Sequence, residues 1–378
     1  MNVFNYESYK VGDFMKIKFI HTSDLHLGMK FENKNFSLKE REKHREELWD
    51  TFDNIINIAK SENIHYLLIA GDMTAGEYVT FKSLKRIVKS FKKIENTKII
   101  ITCGSSDYLN INNIYEYMEW PENVYFIKGT DSIQKIYFEE HNLCIYSLSW
   151  DKQNSNENSQ LIYDISVDEN KLNVLMLSCE TENLNSNRLP INEDLIKNKF
   201  DYCALGGKHN YTEIKSNIMY SGTPEPLCFE EVGEHGIIKG EIEKNNLFLQ
   251  FCTIAKRKFV KRNIELDISY GFNKILDLIK FSGDTFSNIK DYVKVNLTGT
   301  VNTDVSIEEV ESEAKQFFYY IEFEENFTYK NVEEKHYDSK EFNIIESYKL
   351  QFDNHQDKLE QQALELGLKV LRKEKVVK

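Results

Sequence analysis

The stretch Lys16-Ile-Lys-Phe-Ile-His-Thr-Ser-Asp-Leu-His26 joins an apolar, β-prone run to a carboxylate and an imidazole at its end. Because side chains alternate along a strand, Asp24 and His26 leave its tip on one side, separated by a residue that points elsewhere. A hard carboxylate oxygen beside a borderline imidazole nitrogen suits Mn, Fe or Zn better than Ca. The stretch therefore indicates the start of a metal site, although an Asp that closes a strand is also a common turn residue.

Two further apolar segments end in polar residues of the same kind. Tyr66–Ala70 is followed by Gly71-Asp72, and Lys98–Thr102 is followed by Cys103-Gly-Ser-Ser-Asp107. Amphipathic helices are predicted between the strands, the first of them opened by the capping-box pattern Ser37-Leu-Lys-Glu40. Continuous apolar strands that alternate with helices predict a parallel sheet covered on both faces, in which functional residues collect at the carboxyl ends of the strands.

The same arrangement recurs in the second half of the first domain. The apolar strand Leu172–Leu177 ends at Ser178-Cys179, and Phe200–Leu205 ends at Gly206-Gly-Lys-His209. A hairpin over 237–251, turning at Asn245-Asn246, closes this domain. His209 is therefore predicted to lie at a strand end, either as a metal ligand or as a buried histidine bonded to the backbone.

The chain is predicted to contain four regions. Residues 1–14 form a polar tail, 15–255 the main α/β domain, 256–330 a small α+β domain, and 331–378 a charged segment with an amphipathic helix. The basic run Lys256-Arg-Lys-Phe-Val-Lys-Arg262 marks the boundary between the two domains. Its residues Lys256, Arg257 and Lys258 are candidates for contacting nucleic-acid phosphates, although charged linkers also serve solubility.

Composition limits the classes of protein that fit. The 378 residues carry a formal net charge of −13, which argues against coating nucleic acid by bulk electrostatics. The six cysteines are scattered without a Cys-x-x-Cys pair, a pattern typical of reduced thiols. Neither a signal peptide nor a run long enough to span a bilayer is evident, so we expect a cytoplasmic protein with no membrane partner.

The strand-end motifs, taken in order, resemble those of the calcineurin-like metallophosphoesterases. These motifs are Asp24-x-His26, Gly71-Asp72, Gly104-x-x-Asp107 and Gly206-x-x-His209. The DNA double-strand-break repair exonuclease branch is the closer resemblance, through the stretches His21–Gly28, Leu68–Asp72, Phe200–Gly206 and Tyr220–Pro226. The resemblance covers Lys16 to Phe251 and implies a four-layer α/β sandwich: two mixed β-sheets flanked by helices, with an α+β capping domain and a C-terminal helical tail.

The resemblance also implies a two-ion centre, of which this sequence keeps one half. The positions that would hold the first ion carry Asp24, His26, Asp72 and His209. The second ion would share Asp72, but its other positions and that of the general-acid histidine carry Ser105, Ser178, Gly207 and Ser106. Losing a general acid costs about a hundredfold to ten-thousandfold in rate, and losing one ion removes several kcal/mol of charge stabilisation.

We therefore predict one retained divalent ion, expected to be Mn, with Fe or Zn as alternatives, and no catalytic residue for ordinary two-ion hydrolysis. For three other residues near the motifs, we expect a role other than contributing to the metal site. Asp107 is expected to cap its loop, Cys179 to be a buried inert thiol, and Lys208 to be a solvated surface lysine.

Three functions fit this pattern. In the first, the protein is a catalytically weak scaffold that associates with DNA, forms a homodimer and binds a coiled-coil ATPase of the structural-maintenance type through its C-terminal segment, as the resemblance implies. In the second, it is an active DNA exonuclease or phosphodiesterase that uses one ion, or replacement ligands from Asp107, Cys179 or a partner chain. In the third, it is a regulatory binding module without a nucleic-acid role.

Overall fold

The computed structural model describes most of the chain. The described residues are 16–31, 33, 35–108, 114–150, 158–184, 186, 188–330, 344–345, 347–349 and 358–371. The predicted N-terminal tail, 1–14, lies outside them, as does most of the predicted C-terminal segment 331–378. In this described part of the chain, no helix is both long enough and apolar enough to cross a membrane.

The first sheet carries the opening motif. Its strands are β1 (Ile17–Thr22), β2 (Tyr66–Ala70), β3 (Lys98–Thr102), β4 (Val124–Phe126), β11 (Gly236–Glu243) and β12 (Asn246–Thr253). They lie in the order β12-β11-β1-β2-β3-β4. Strands β1 to β4 are parallel, whereas β11 and β12 are antiparallel to their neighbours, so the sheet is mixed.

The second sheet carries the later motifs. Its strands are β5 (Gln134–Phe138), β6 (Leu143–Leu148), β7 (Leu172–Ser178), β8 (Tyr202–Gly206), β9 (Thr212–Lys215) and β10 (Ile218–Tyr220). They lie in the order β5-β6-β7-β8-β10-β9. Strands β6, β7, β8 and β10 are parallel, and the two edge strands are antiparallel to them.

Three apolar layers hold the sheets and helices together. Helices α1 (Leu38–Ser61) and α2 (Phe81–Phe91) pack on the outer face of the first sheet, and α3 (Ser159–Tyr163) packs on the outer face of the second. The third layer lies between the sheets, where Phe19 and Leu68 of the first sheet share a core with Met176 of the second. The predicted four-layer α/β sandwich of two mixed sheets flanked by helices is thus confirmed.

Helix α1 forms where the capping pattern predicts it. The Ser37 hydroxyl accepts a hydrogen bond from the Glu40 backbone N–H, and the Glu40 carboxylate accepts one from the Ser37 N–H, which satisfies two free backbone donors. Its predicted apolar face, which includes Leu48, Phe52 and Ile55, is buried. The helix connects the first motif to β2 and so fixes the parallel direction of β1 and β2.

The chain divides into two compact units. The larger contains the described residues up to Arg262 together with Gly283–Val295 and Phe317–Glu322. The smaller contains Asn263–Ser282, Asn296–Gln316 and the described residues from Phe323 onward. The predicted domain limits at 255 and 330 stay predictions, and segments beyond Arg262 contribute to the larger unit.

The region after Lys256 is an α+β structure, as predicted. Its remaining elements are β13 (Phe259–Leu266), α4 (Phe272–Phe281), α5 (Thr285–Lys290), β14 (Tyr292–Asn302), α6 (Ile307–Ala314) and β15 (Tyr320–Lys330). The strands form a three-stranded sheet in the order β13-β14-β15. Within the smaller unit, α4 and α6 contact each other through buried faces that include Ile275 and Val310. The C-terminal helix α7 spans Lys358–Leu371.

The basic residues 256–258 are all engaged with carboxylates of the larger unit. The Arg257 Nε atom donates to the Glu47 carboxylate at 2.6 Å, and Glu47 is 4% exposed. Lys256 Nζ lies 3.4 Å from Asp50 Oδ2, and Lys258 pairs with Glu234. Arg257 therefore has an internal structural partner, and the predicted contact with nucleic acid, which stays a prediction, rests on the two lysines.

Replacing Arg257 should test its structural role. We expect Arg257→Ala to lower the free energy of unfolding by about 2–3 kcal/mol, because it leaves the buried Glu47 charge without its cation. Lys256→Ala, which removes an exposed pair, should change it by about 0.5 kcal/mol or less. Urea unfolding of both variants measures the difference, and equal losses would contradict a specific role for Arg257.

Candidate metal centre

The strand-end motifs meet at one edge of the sandwich. Asp24 and His26 follow β1 and run beside the residues that follow β2, since Asp24 N donates to Gly71 O and His26 N donates to Asp72 O, both at 3.0 Å. From the second sheet, Gly207 and His209 follow β8. The backbone N–H of Gly207 donates to both carboxylate oxygens of Asp24, at 3.2 and 3.1 Å. The two sheets therefore present their motifs to each other.

The backbone is strained at three of the predicted ligands. Asp24, His26 and Asp72 have φ angles of 52°, 42° and 50°, in the left-handed region that non-glycine residues avoid. Each such residue costs about 1–3 kcal/mol and persists only where the surrounding structure imposes it. Strain of this kind concentrates at functional sites, and the sequence motifs do not indicate it.

Three of the four predicted ligands converge. The ligand atoms of Asp24, His26 and His209 all lie within 4.8 Å of one another. The Nε2 atoms of the two histidines are 3.3 Å apart. Two Zn–N bonds of about 2.0–2.1 Å at a tetrahedral angle would span roughly the same distance. The donor set and its spacing therefore fit a divalent transition metal.

The fourth predicted ligand, Asp72, lies beside this group without belonging to it. Its Oδ1 atom accepts a hydrogen bond from Ser106 N at 2.6 Å. Its carboxylate interacts with that of Asp24 and with His209. Asp72 is thus placed to contribute an oxygen on the side of Asp24, between the first sheet and the loop that follows β3.

The electrostatics of the site favour the binding of a cation. Burial, with mutual repulsion, raises the pKa of Asp24, and burial raises that of Asp72. Burial lowers the pKa of His26 to about 4, so its imidazole is neutral at pH 7 and can offer a lone pair. A divalent cation would stabilise both carboxylates in their charged form.

The positions predicted for the second ion lie next to this group but offer few ligand atoms. A Cβ atom placed on Gly207 would lie 3.3 Å from Ser178 Oγ, and one placed on Gly71 would lie 2.8 Å from it. Positions 178 and 207 therefore adjoin each other and the second motif. Ser105 and Ser106 stand in the loop after β3, where Ser106 contributes its backbone N–H to Asp72. Where the resemblance implies an asparagine and three histidines, these positions therefore offer only serine hydroxyls or, at Gly207, no side chain.

The three alternative residues are engaged elsewhere. Asp107 accepts hydrogen bonds from the Gly104 and Thr74 backbone and from the Tyr115 hydroxyl, which makes it a loop cap, as predicted. Burial raises the pKa of the Cys179 thiol to about 12, so it is neutral and poorly suited to bind a metal. Lys208 pairs with Glu182 at the surface.

Sequence reasoning missed one residue of the site. Glu231, in the loop between β10 and β11, accepts a hydrogen bond from His209 Nδ1 at 2.6 Å. Burial alone would lower the pKa of His209, but this bond and the neighbouring carboxylates outweigh it and raise the pKa. The only available signal was the acidic pair Glu230-Glu231 after the stretch Tyr220–Pro226, and the pair does not show which member faces inward.

This chain is similar to known proteins in sequence and in structure. The family model of the calcineurin-like phosphoesterases matches residues 17–211, just over half of the chain. YhaO, an uncharacterised metallophosphoesterase of Bacillus subtilis, is 22% identical over 283 residues, which cover 72% of this chain and 68% of that protein. A dimetal phosphatase from Danio rerio aligns with a TM-score of 0.41 and 9% identity over 62% of this chain and 95% of its own.

Two aspartate substitutions should have opposite effects on the metal-free protein at pH 8. Asp72→Asn should raise its stability by about 1 kcal/mol, because an amide can donate to Asp24 where a carboxylate repels it, and should reduce the stabilisation by Mn²⁺. Asp107→Asn should lower stability by about 1–3 kcal/mol, because its amide group would face only donors. Thermal unfolding with EDTA or MnCl₂ measures both effects; a destabilising Asp72→Asn would contradict the proposed repulsion.

Proposed function

Because this chain belongs to the calcineurin-like phosphoesterase family, we propose that it is a degenerate member, which binds one divalent cation and lacks ordinary two-ion phosphodiester hydrolysis. One observation carries the proposal. Asp24, His26 and His209 gather their ligand atoms within 4.8 Å, whereas positions 105, 178 and 207 are Ser, Ser and Gly. The half of the centre that has side-chain ligands is compact, and the other half lacks them.

The residues of the chain define what the site can do. Asp24, His26 and His209, with Asp72 beside them, would hold the ion, which when bound would polarise a phosphoryl oxygen or acidify a water molecule. Gly207 N–H and Ser106 N–H hold the carboxylates of Asp24 and Asp72 in place. Ser106, at the family's general-acid position, has no group that can deliver a proton near neutral pH.

The deficit in rate that follows is large. A missing general acid costs about 10²–10⁴-fold, and a missing second cation removes several kcal/mol more from transition-state stabilisation. At about 1.4 kcal/mol for each tenfold, these losses together would slow hydrolysis by about four to seven orders of magnitude. We therefore propose a protein that binds a metal ion without ordinary hydrolysis, with Mn²⁺ as the expected ion.

The cellular role that we propose is that of a scaffold subunit related to the repair exonucleases. Helix α7 exposes Leu366 and Val370, 52% and 59% accessible, and an exposed apolar stripe of this kind supports the proposed contact with a coiled-coil ATPase. Lys256 and Lys258 are the proposed contacts to DNA phosphates. A homodimer and a cytoplasmic location belong to the same proposal.

The strained ligand residues favour one alternative. Three left-handed residues persist at Asp24, His26 and Asp72, and an ion-dependent function would account for keeping that cost. The alternative is a slow phosphodiesterase that uses a single ion. It shares the metal site with the main proposal and differs from it in turnover.

Metal content and turnover test the proposal together. We expect the purified protein, after dialysis with Mn²⁺, to hold about one equivalent by elemental analysis, and none after Asp24→Asn combined with His26→Ala. We expect no Mn²⁺-dependent release of nitrophenol from bis(p-nitrophenyl) phosphate above that of the Asp72→Asn variant. Two equivalents of metal would contradict the proposal, and turnover abolished by Asp72→Asn would support the one-ion enzyme instead.

A further inference from the structure

We infer that Glu231 is a positioning residue that fixes the ring orientation and the tautomer of His209 for metal binding, an inference that rests on the proposed metal site. His209 is the candidate ligand from the second sheet. The side chain that orients it comes from a loop with no predicted ligand.

The two nitrogens of His209 have different surroundings. Nδ1 lies 2.6 Å from Glu231 Oε1, and Nε2 lies 3.3 Å from Nε2 of His26. A carboxylate can only accept a hydrogen bond, so Nδ1 must carry the proton. In a neutral ring the lone pair is then on Nε2, which is the nitrogen that faces His26 and the candidate ion position.

Glu231 is itself held firmly. Its side chain is 6% exposed, and its second oxygen, Oε2, accepts hydrogen bonds from Leu227 N at 2.7 Å and from the Thr223 hydroxyl at 3.3 Å. The same loop is tied to His209, because Thr223 N donates to His209 O at 2.8 Å. The carboxylate is therefore fixed on one side by backbone and directed by its other oxygen to the imidazole.

A loop-capping role alone does not account for this arrangement. The cap uses Oε2, which satisfies the Leu227 N–H, and would work equally well with any side chain that offers one acceptor oxygen at that point. Oε1 is not used by the cap: it lies 2.6 Å from His209 Nδ1 and accepts a weak hydrogen bond from the Cys228 thiol at 3.7 Å. The two roles thus involve different atoms of the same carboxylate, and one substitution can separate them.

Glu231→Gln makes this separation. If the glutamine oxygen keeps the hydrogen bond from Leu227 N–H, its amide group is turned toward His209 Nδ1 and donates to it. His209 must then carry its proton on Nε2, which blocks the lone pair needed for the metal. The loop cap survives while the tautomer of His209 is reversed.

The experiment compares the full-length protein with Glu231→Gln and with Glu230→Gln, a change at the exposed neighbouring residue. We expect Glu231→Gln to weaken Mn²⁺ binding about 10–100-fold in competition with a chromophoric chelator, and Glu230→Gln to leave it unchanged. Long-range ¹H–¹⁵N spectra of the metal-free protein, recorded at alkaline pH where the His209 ring is neutral, should show it protonated at Nδ1 in the wild type and at Nε2 in Glu231→Gln. The Co²⁺ absorption spectrum should change in this variant only.

The possible results distinguish a failure of the role of Glu231 from a failure of the proposed metal site. Unchanged affinity and tautomer in Glu231→Gln would overturn the role of Glu231 while leaving the metal site intact. A wild-type protein that binds no metal would overturn both. If Glu231→Gln does not fold, Thr223→Val removes the hydroxyl that supports Oε2 and that also lies 3.2 Å from His209 O, and it should weaken binding several-fold. An affinity equal to that of the wild type would then overturn the inference.

Discussion

Two buried carboxylates, Asp24 and Asp72, meet at the ends of adjacent parallel strands, and the structure around them balances their repulsion. Neither side chain is more than 2% exposed, so water cannot screen them. Gly207 N–H, Ser106 N–H and the Ser23 hydroxyl donate to them, and His209 faces them from the second sheet. Partial charges of backbone dipoles moderate such a pair, whereas a bound cation would neutralise it.

This requirement bears on the proposed difference between the two halves of the centre. The half that we propose is retained is built into the framework: Asp24 is bonded to Ser23, Ser23 to Ser221, and His209 to Glu231. Removing any of these ligands would leave buried partners without a bond, at a cost of about 1–3 kcal/mol each. Positions 105, 178 and 207 carry small residues, whose side chains offer few groups for hydrogen bonds of this kind. The proposed loss of the second ion thus concerns side chains that contribute few hydrogen bonds to the fold.

The elements that the sequence predicted correctly are those that the local pattern of apolar and polar residues determines. Strands β2 and β3 begin and end at the predicted residues, because continuous apolar runs between polar turns leave little ambiguity. The short strands β4 and β9, of three and four residues, gave no such pattern, since tertiary pairing with longer neighbours determines them. The positions of Asp24, His26 and His209 followed from the strand-end rule.

The features that the sequence did not predict depend on contacts between residues that are far apart in the chain. Glu231 approaches His209 through a loop, and its neighbour Glu230 has the same chemistry and an exposed position. The left-handed backbone at the ligand residues is imposed by hydrogen bonds between the motifs after β1 and β2. Arg257 shows the same limit, because its basic character suggested nucleic acid and the fold supplies the buried Glu47 as its partner.

The proposed function depends most directly on the number of ions bound at the strand ends. Anomalous scattering at the manganese edge, from crystals grown with Mn²⁺, measures it directly. We expect one peak, bounded by Asp24, His26 and His209, with Glu231 bonded to the far nitrogen of His209. Two peaks about 3.5–4 Å apart, the spacing of a two-ion centre, would contradict it, as would a site with none.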